Sequence, residues 1–182
     1  MAYKLLKIYP PFIILSILIL FSSCKSKKFI TDASGPSSKN ISGNLKERYS
    51  IILGVSSNML ANEKLYTFID SWMGVPHRIG GLDKNGIDCS GFAVLLEKEV
   101  YLKSLPRTAT QMADQVKRKY EEDLKEGDLV FFNFDGQKFS HVGVYLQNNK
   151  FVHASTSKGI MISDLKNPWY YKYFSRAGNI QR

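Results

Sequence analysis

Residues 88–92 read Asp88-Cys89-Ser90-Gly91-Phe92, which places a cysteine where a glycine-bearing loop gives way to an apolar helix. Apolar residues recur at helical spacing after it and predict a helix from Cys89 to Tyr101 with one buried face. The unpaired amides and the positive dipole end of such a helix would point at the sulfur and favour the thiolate over the thiol. The pattern therefore predicts a reactive cysteine at a helix start.

A nucleophilic thiol needs a base, and two of the three histidines in the chain follow Cys89 on strand-like segments. His141 stands in Ser-His-Val-Gly-Val-Tyr and His153 in Phe-Val-His-Ala-Ser. This is the order that a papain-like thiol hydrolase requires. We expect His141 to take the thiol proton and His153 to hold His141 in the right tautomer.

Composition limits which other functions the protein could have. With 182 residues, 44% hydrophobic and 13% aromatic, the chain has room for one domain with a real core. Its formal charge of +9 comes from scattered lysines and arginines without a nucleic-acid motif, so we expect no nucleic-acid partner. Since there is no Cys-x-x-Cys pair, His-Glu-x-x-His helix or phosphate-binding loop, we expect no metal and no cofactor.

The N-terminus has the pattern of a targeting signal. After Lys4 and Lys7, the apolar run from Phe12 to Phe21 is too short to span a bilayer and ends in Ser-Ser-Cys24. The arrangement resembles a bacterial lipobox, in which Cys24 would be acylated, although a phenylalanine stands where leucine is usual. The alternative is an ordinary signal peptide with an incidental cysteine. Acylation of Cys24 would leave Cys89 unpaired.

The chain is accordingly divided into a lipoprotein signal peptide (1–23), an acylated cysteine with a flexible tether (24–48) and a catalytic domain (49–182). Helical spacing and capping residues predict further helices over 63–73 and 108–118. Four β-rich runs follow, at Leu129–Phe134, Val142–Leu146, Phe151–Ala154 and Gly159–Ile162. Helices first and an antiparallel sheet second indicate an α+β fold.

Six motifs in sequence order give the chain a family resemblance. They are Gly74-Val75-Pro76 through Gly80-Gly81, Gly86 through Phe92, Leu105-Pro106-Arg107-Thr108, Gly127-Asp128-Leu129-Val130-Phe131-Phe132, His141-Val142-Gly143-Val144-Tyr145 and Val152-His153-Ala154-Ser155. Over 65–180 the chain resembles the NlpC family of papain-like cell-wall peptidases, and most of all the Spr-type lipoprotein murein endopeptidases. The resemblance implies a papain-like fold and a catalytic triad of Cys89, His141 and His153.

The resemblance also implies roles for residues around the nucleophile. Asp88 and Ser90 would line the pocket for the non-reacting end of the peptide, although both residue types also favour helix starts. Arg107 would meet a substrate carboxylate or form a structural ion pair. His77 stands where relatives carry a tyrosine that is thought to help stabilise the oxyanion, and it would replace that donor through a ring N–H. The alternative is a solvent-facing loop residue.

These observations predict a lipid-anchored cysteine peptidase of the bacterial cell envelope that cuts peptide stems or cross-links of peptidoglycan. Its partners would be peptidoglycan peptides and, through the anchor, a membrane, with the domain in the periplasm and the outer membrane favoured over the inner. The alternatives are a γ-D-glutamyl-diamino acid peptidase acting on soluble muropeptides, a catalytically idle wall-binding module, and an acyl hydrolase or transferase.

Overall fold

The computed structural model describes residues 38–180, with side chains from residue 43 onward. Within this range, the α-helices are α1 (Ser38–Leu53), α2 (Glu63–Trp72), α3 (Cys89–Tyr101), α4 (Ala109–Gln115) and α5 (Pro168–Tyr173). Short 3-10 turns lie at Ser57–Met59, Glu121–Asp123 and Phe134–Gly136. None of the helices in this range is both long and apolar enough to cross a membrane.

The strands form a small hairpin and one larger sheet. The hairpin pairs β1 (Leu82–Asp83) with β2 (Gly86–Ile87). The sheet contains β3 (Lys117–Arg118), β4 (Leu129–Phe132), β5 (His141–Tyr145), β6 (Lys150–Ser155), β7 (Gly159–Asp164) and β8 (Phe174–Asn179). Its order is β3-β8-β4-β5-β6-β7, and every neighbouring pair is antiparallel. Helices that precede an antiparallel sheet confirm the α+β prediction.

Side chains alternate between the two faces of the sheet and form two apolar layers. Phe131, Val142 and Val144 face the helices and share a core with Phe92 and Leu96 of α3. The opposite face is covered by α5 and its neighbouring loops, and its buried members are Val130, Phe132, Tyr145, Phe151, Leu165 and Ala177. Because α3 packs against β5, the first turn of α3 lies beside the start of that strand.

Helix α1 corrects the expected boundary between tether and domain. The segment 24–48 was predicted to be a flexible tether, yet α1 begins at Ser38. Leu45, Tyr49 and Leu53 are buried in the core, four residues apart on one helix face. Burial of this stripe explains why a mostly polar segment folds. The domain therefore starts before residue 49, whereas the predicted signal peptide and Cys24 lie outside the described residues.

The predicted elements match the observed ones unevenly. Helix α3 has the predicted bounds, but α4 ends at Gln115 because Val116 is extended and the next two residues pair with β8. Strand β8 was not predicted, since Phe174–Asn179 contains serine, arginine, glycine and asparagine and shows little apolar alternation. It nevertheless lies inside the sheet, between β3 and β4.

Candidate active site

Cys89 is a free cysteine and the first residue of α3. Asp88 caps the helix, because its carboxylate accepts a hydrogen bond from the backbone N–H of Gly91 at 2.6 Å. A side chain at Gly91 would lie 2.7 Å from the carbonyl oxygen of Gly81, so only glycine lets the preceding loop approach the first turn this closely. The cap and the loop together fix the position of the thiol.

The protonation of Cys89 differs from the prediction. Burial raises the pKa of the thiol, and backbone hydrogen bonding by Val142 opposes this only in part. The sequence favoured the thiolate because of the helix N-terminus, but desolvation of the sulfur outweighs that effect. The thiol is therefore the resting form, and the base must remove its proton during the reaction.

The two downstream histidines lie against each other on adjacent strands. Nε2 of His141 is 2.8 Å from Nδ1 of His153, and both rings are buried. Burial lowers the pKa of His141 to about 4, and the charge that His77 carries when protonated acts in the same direction. Burial, followed by the charge of His141, lowers the pKa of His153 to about 3. Both rings are neutral at pH 7, and His141 keeps Nδ1 for another partner.

Two hydroxyl groups continue the chain of contacts beyond His153. Nε2 of His153 lies 3.0 Å from Oγ of Ser163 and 3.2 Å from Oη of Tyr170. Neither residue was predicted to belong to the site. Ser163 is the last residue but one of β7 and belongs to no recognisable motif, and Tyr170 stands in an aromatic run whose residue types are as typical of a core as of a site.

Asp88 and Ser90 form a hydrogen-bonded network with Arg107, and their role in lining the substrate pocket stays a prediction. Arg107 donates to both carboxylate oxygens of Asp88 and, at 2.8 Å, to the hydroxyl of Ser90. The backbone N–H of Gly80 also donates to Asp88, at 2.8 Å. Burial tends to raise the pKa of Asp88, but these hydrogen bonds outweigh it and hold the pKa below its usual value. Arg107 was expected either to meet a substrate carboxylate or to form a structural ion pair, and the structure shows an ion pair with Asp88.

His77 lies in the loop between α2 and the hairpin, at intermediate exposure. Its backbone forms a bridge to Ile87, two residues before the nucleophile. This bridge ties the loop to the start of α3. Since the charge of His77 affects the pKa of His141, the two imidazoles belong to the same region of the molecule.

A cleft of about 310 Å³ opens over the histidine pair. It is lined by His141 and His153, by the carboxylate of Asp135, and by hydroxyl and aromatic groups, namely Phe134, Ser155, Thr156, Trp169, Tyr170 and Tyr173. Trp169 is 54% exposed and stacks on Phe134 with ring centroids 4.7 Å apart. Such a surface suits an extended ligand with both polar and apolar parts. Over residues 38–180, no group of three His, Cys, Asp or Glu side chains could hold a metal ion.

Comparison with known proteins places the site in a family. Residues 74–179 match the NlpC/P60 family model. The chain is 44% identical over 113 residues to the "Probable endopeptidase NlpC" of Escherichia coli, covering 62% of this chain and 73% of that protein. It is 41% identical over 109 residues to the "Murein DD-endopeptidase MepS/Murein LD-carboxypeptidase" of the same organism, covering 60% and 57%.

A solved structure agrees with the sequence matches. The crystal structure of an NlpC/P60 family protein from Bacillus cereus superposes with a TM-score of 0.60 at 25% identity. The superposition covers 67% of this chain and 41% of the other. The residues that match the family model, 74–179, include Cys89, His141 and His153.

Proposed function

The chain belongs to the NlpC/P60 family of cysteine-type peptidoglycan endopeptidases, and on this premise we propose that it hydrolyses peptide stems or cross-links of bacterial peptidoglycan. Cys89 is the nucleophile, His141 the general base and acid, and His153 the residue that orients His141. The observation that carries the proposal is the position of the thiol. Cys89 stands at the capped start of α3, and the backbone of Val142 hydrogen-bonds to it. Val142 directly follows His141, whose ring is in hydrogen-bond contact with that of His153.

The chemistry follows from these positions. His141 accepts the thiol proton at Nδ1 as Sγ attacks the amide carbonyl, and it then gives that proton to the leaving amine as the C–N bond breaks. The product of this half-reaction is a thioester on Cys89. Water attacks the thioester while His141 takes its proton. The C–S bond then breaks, the carboxyl product leaves, and His141 returns the proton to Sγ.

The substrate assignment rests on the relatives. The printed name of the MepS protein describes murein cleavage, and this chain is 41% identical to it over 109 residues. The cleft beside the histidines, with its aromatic wall and hydroxyl groups, supports an extended peptide substrate. The test is to incubate the full chain with purified peptidoglycan and to identify the products by mass spectrometry, which fixes both the reaction and the bond.

A matched pair of cysteine variants sharpens that test. Cys89→Ala should abolish product formation, whereas Cys24→Ser should keep it, because Cys89 is the nucleophile and Cys24 is not. Hydrolysis by the Cys89 variant would end the proposal. Release of products from soluble muropeptides but not from intact peptidoglycan would favour the γ-D-glutamyl-diamino acid peptidase, and no hydrolysis of either by the wild type would favour a wall-binding module. Turnover of an ester lipid alone would favour an acyl hydrolase.

The anchor is proposed separately, on the sequence of residues 1–24. We propose that Cys24 is acylated and holds the domain at a membrane of the cell envelope, in the periplasm, with the outer membrane favoured. Bacterial lipid anchors with several acyl chains release slowly, since each buried methylene contributes about 0.8 kcal/mol. The Cys24→Ser protein should therefore be absent from the membrane fraction. If it stays bound to membranes after alkaline washing, the proposal of a lipid anchor at Cys24 is contradicted.

A further inference from the structure

The ring of His153 is held from both sides within the buried layer of the sheet. Its Nδ1 lies 2.8 Å from Nε2 of His141, and its Nε2 lies 3.0 Å from Oγ of Ser163. The hydroxyl of Ser163 donates in turn to Oη of Tyr170 at 3.3 Å. His153 is 2% exposed and Ser163 is 8% exposed, so water competes little for these contacts. The arrangement is a hydrogen-bonded chain that spans β5, β6, β7 and α5.

A chain of this kind can be polarised in two directions. In the first direction, His141 donates from Nε2 to His153, which donates from its own Nε2 to Ser163, which donates to Tyr170. In the reverse direction, Tyr170 donates to Nε2 of His153, and His153 donates from Nδ1 to His141. The two directions place protons on opposite nitrogens of both rings.

Only the first direction allows catalysis. With a proton on Nε2, His141 has a lone pair at Nδ1 and can accept the proton of Cys89. In the reverse direction, Nδ1 of His141 already carries a proton and cannot act as the base. Both rings are neutral at pH 7, because burial lowers the pKa values of His141 and His153 to about 4 and about 3. The tautomer, rather than the charge, therefore decides whether the site is competent.

We propose that Ser163 and Tyr170 are positioning residues that hold His153 as its Nε2–H tautomer and so keep Nδ1 of His141 free for the thiol proton. Ser163 supplies the acceptor, and Tyr170 supplies the acceptor that orients the Ser163 hydroxyl. This role rests on the proposed function, since it presumes that His141 is the base for Cys89.

Packing fixes the two hydroxyl groups in place. The ring of Tyr170 stands edge-on to Phe151 and Phe132, with centroids 5.1 and 5.8 Å away, so its Oη has little freedom to move. Ser163 lies opposite Phe151 in the ladder between β6 and β7. These contacts make α5, six residues long, part of the support for the catalytic base.

The direct test is a nitrogen NMR experiment on the full chain with 15N-labelled histidine at pH 7. The long-range 1H–15N spectrum distinguishes a protonated ring nitrogen from one with a lone pair. We expect His153 and His141 both to carry the proton on Nε2. A proton on Nδ1 of His153 in the wild type would overturn the proposal, and this outcome needs no variant and no substrate.

Variants give the second test. In the double variant Ser163→Ala, Tyr170→Phe, we expect a mixture of tautomers and a kcat lower on the order of tenfold, the lower end of the loss seen when the hydrogen-bond partner of a metal-bound histidine is removed. Because Tyr170 also lines the cleft, the tautomer spectrum, rather than KM, distinguishes a positioning role from a role in substrate binding. The single variant Ser163→Thr, in which Tyr170 is unchanged, retains the hydroxyl and should have most of the wild-type kcat. Tyr171→Phe removes an exposed hydroxyl from the same helix and serves as the control.

The outcomes separate this proposal from the proposed function. An unchanged tautomer together with an unchanged kcat in the double variant would overturn the positioning role. Hydrolysis by Cys89→Ala would overturn the proposed function, while the tautomer spectrum would still report how His153 is held. If the double variant does not fold, the wild-type spectrum decides.

Discussion

Arg107 donates to both carboxylate oxygens of Asp88, at 2.9 and 2.7 Å, although the two residues are 19 positions apart in the sequence. Asp88 is also the N-cap of the helix that begins with the nucleophile. The position of Cys89 therefore depends on an arginine in the loop before α4. A bidentate guanidinium pair is both stronger and more directional than a single ion contact.

The first prediction concerns this pair. Arg107→Gln should lower the free energy of unfolding at pH 7 by about 1–3 kcal/mol, because it leaves a partly buried carboxylate without its charged partner. The pKa of Asp88 is depressed in the folded state, so its contribution is present above the unfolded value of 3.8 and is lost as the pH falls through the folded value. Urea unfolding should therefore show a smaller difference between variant and wild type at low pH.

The control for that variant is Arg78→Gln. Arg78 pairs with Asp83 at 3.1 Å, but both side chains are more than half exposed. We expect a change of at most about 0.5 kcal/mol, as is usual for exposed pairs. Equal losses in the two variants would show that the Arg107 pair has no special role.

The second prediction concerns pH. His141 must be neutral to act as the base, and its pKa is lowered to about 4, so kcat/KM should rise through about pH 4 rather than near 6.5. Burial raises the pKa of Cys89, so alkylation by iodoacetamide at pH 7 should be slower than for an exposed cysteine and should accelerate with rising pH. An acid limb near pH 6.5 would contradict the lowered pKa of His141. Rapid alkylation at pH 6 would restore the prediction of a Cys89 thiolate.

His77 is the subject of the third prediction. If its ring N–H stabilises the oxyanion, His77→Ala should lower kcat on the order of 10²-fold while thiol alkylation stays nearly normal. His77→Tyr should retain substantial activity, because a hydroxyl can serve as the same donor. Ile79→Ala is a suitable control, since Ile79 lies in the same loop and is 91% exposed. An unchanged kcat/KM in His77→Ala would identify His77 as an ordinary loop residue.

The fourth prediction follows from Glu97, which is buried in α3 and has an Oε1 without a hydrogen-bond partner among the described residues. Burial raises the pKa of Glu97 to about 7, from 4.5. A raised carboxyl pKa contributes stability that is present below about pH 4.5 and lost as the pH rises through about 7. The full difference is on the order of 3 kcal/mol, at about 1.4 kcal/mol for each unit of pKa.

Glu97→Gln removes this dependence. The variant should resemble the wild type near pH 5 and be more stable than it near pH 9, as measured by urea unfolding at both pH values. Glu99→Gln, on the exposed side of the same helix, should show no such divergence. Parallel stability curves for Glu97→Gln and the wild type would contradict the buried, protonated carboxyl.

The fifth prediction tests α1 as part of the domain. Leu53→Ala should lower the free energy of unfolding by about 2–5 kcal/mol, because Leu53 is fully buried and truncation leaves a cavity. Ile51→Ala, two residues earlier and 77% exposed, should change it by less than about 0.5 kcal/mol. Similar small effects in both would mean that α1 does not belong to the cooperative core.

Helices and strands were predicted best from the sequence where one local signal decided the structure. The glycine-bearing loop and the apolar run after Cys89 predicted the bounds of α3, and alternating β-branched and aromatic residues predicted the core of β4 to β7. Helix α1 was missed because its composition is polar. Its signal was the spacing of Leu45, Tyr49 and Leu53, which is visible only if the segment is not first assigned to a tether.

Other features depend on packing that no local pattern encodes. The direction of the Cys89 pKa shift was wrong because burial of the thiol is set by the sheet, not by its own helix. The partner of Asp88, Arg107, is brought to it only by the tertiary fold, while the role of Asp88 toward substrate stays a prediction. The contacts of His153 with Ser163 and Tyr170 join three elements and leave no motif in the sequence.

The place of β8 in the sheet has a consequence for the order of synthesis. Because this strand lies between β3 and β4, the sheet is incomplete until residues 174–179 have been made. Cys89 is translated well before that point, and the strands that carry His141 and His153 also precede it. Long-range strand pairing of this kind is slow and comes late in folding. A growing chain therefore holds all three groups before the strand that pairs with β4 exists, and β4 is the neighbour of β5, which carries His141.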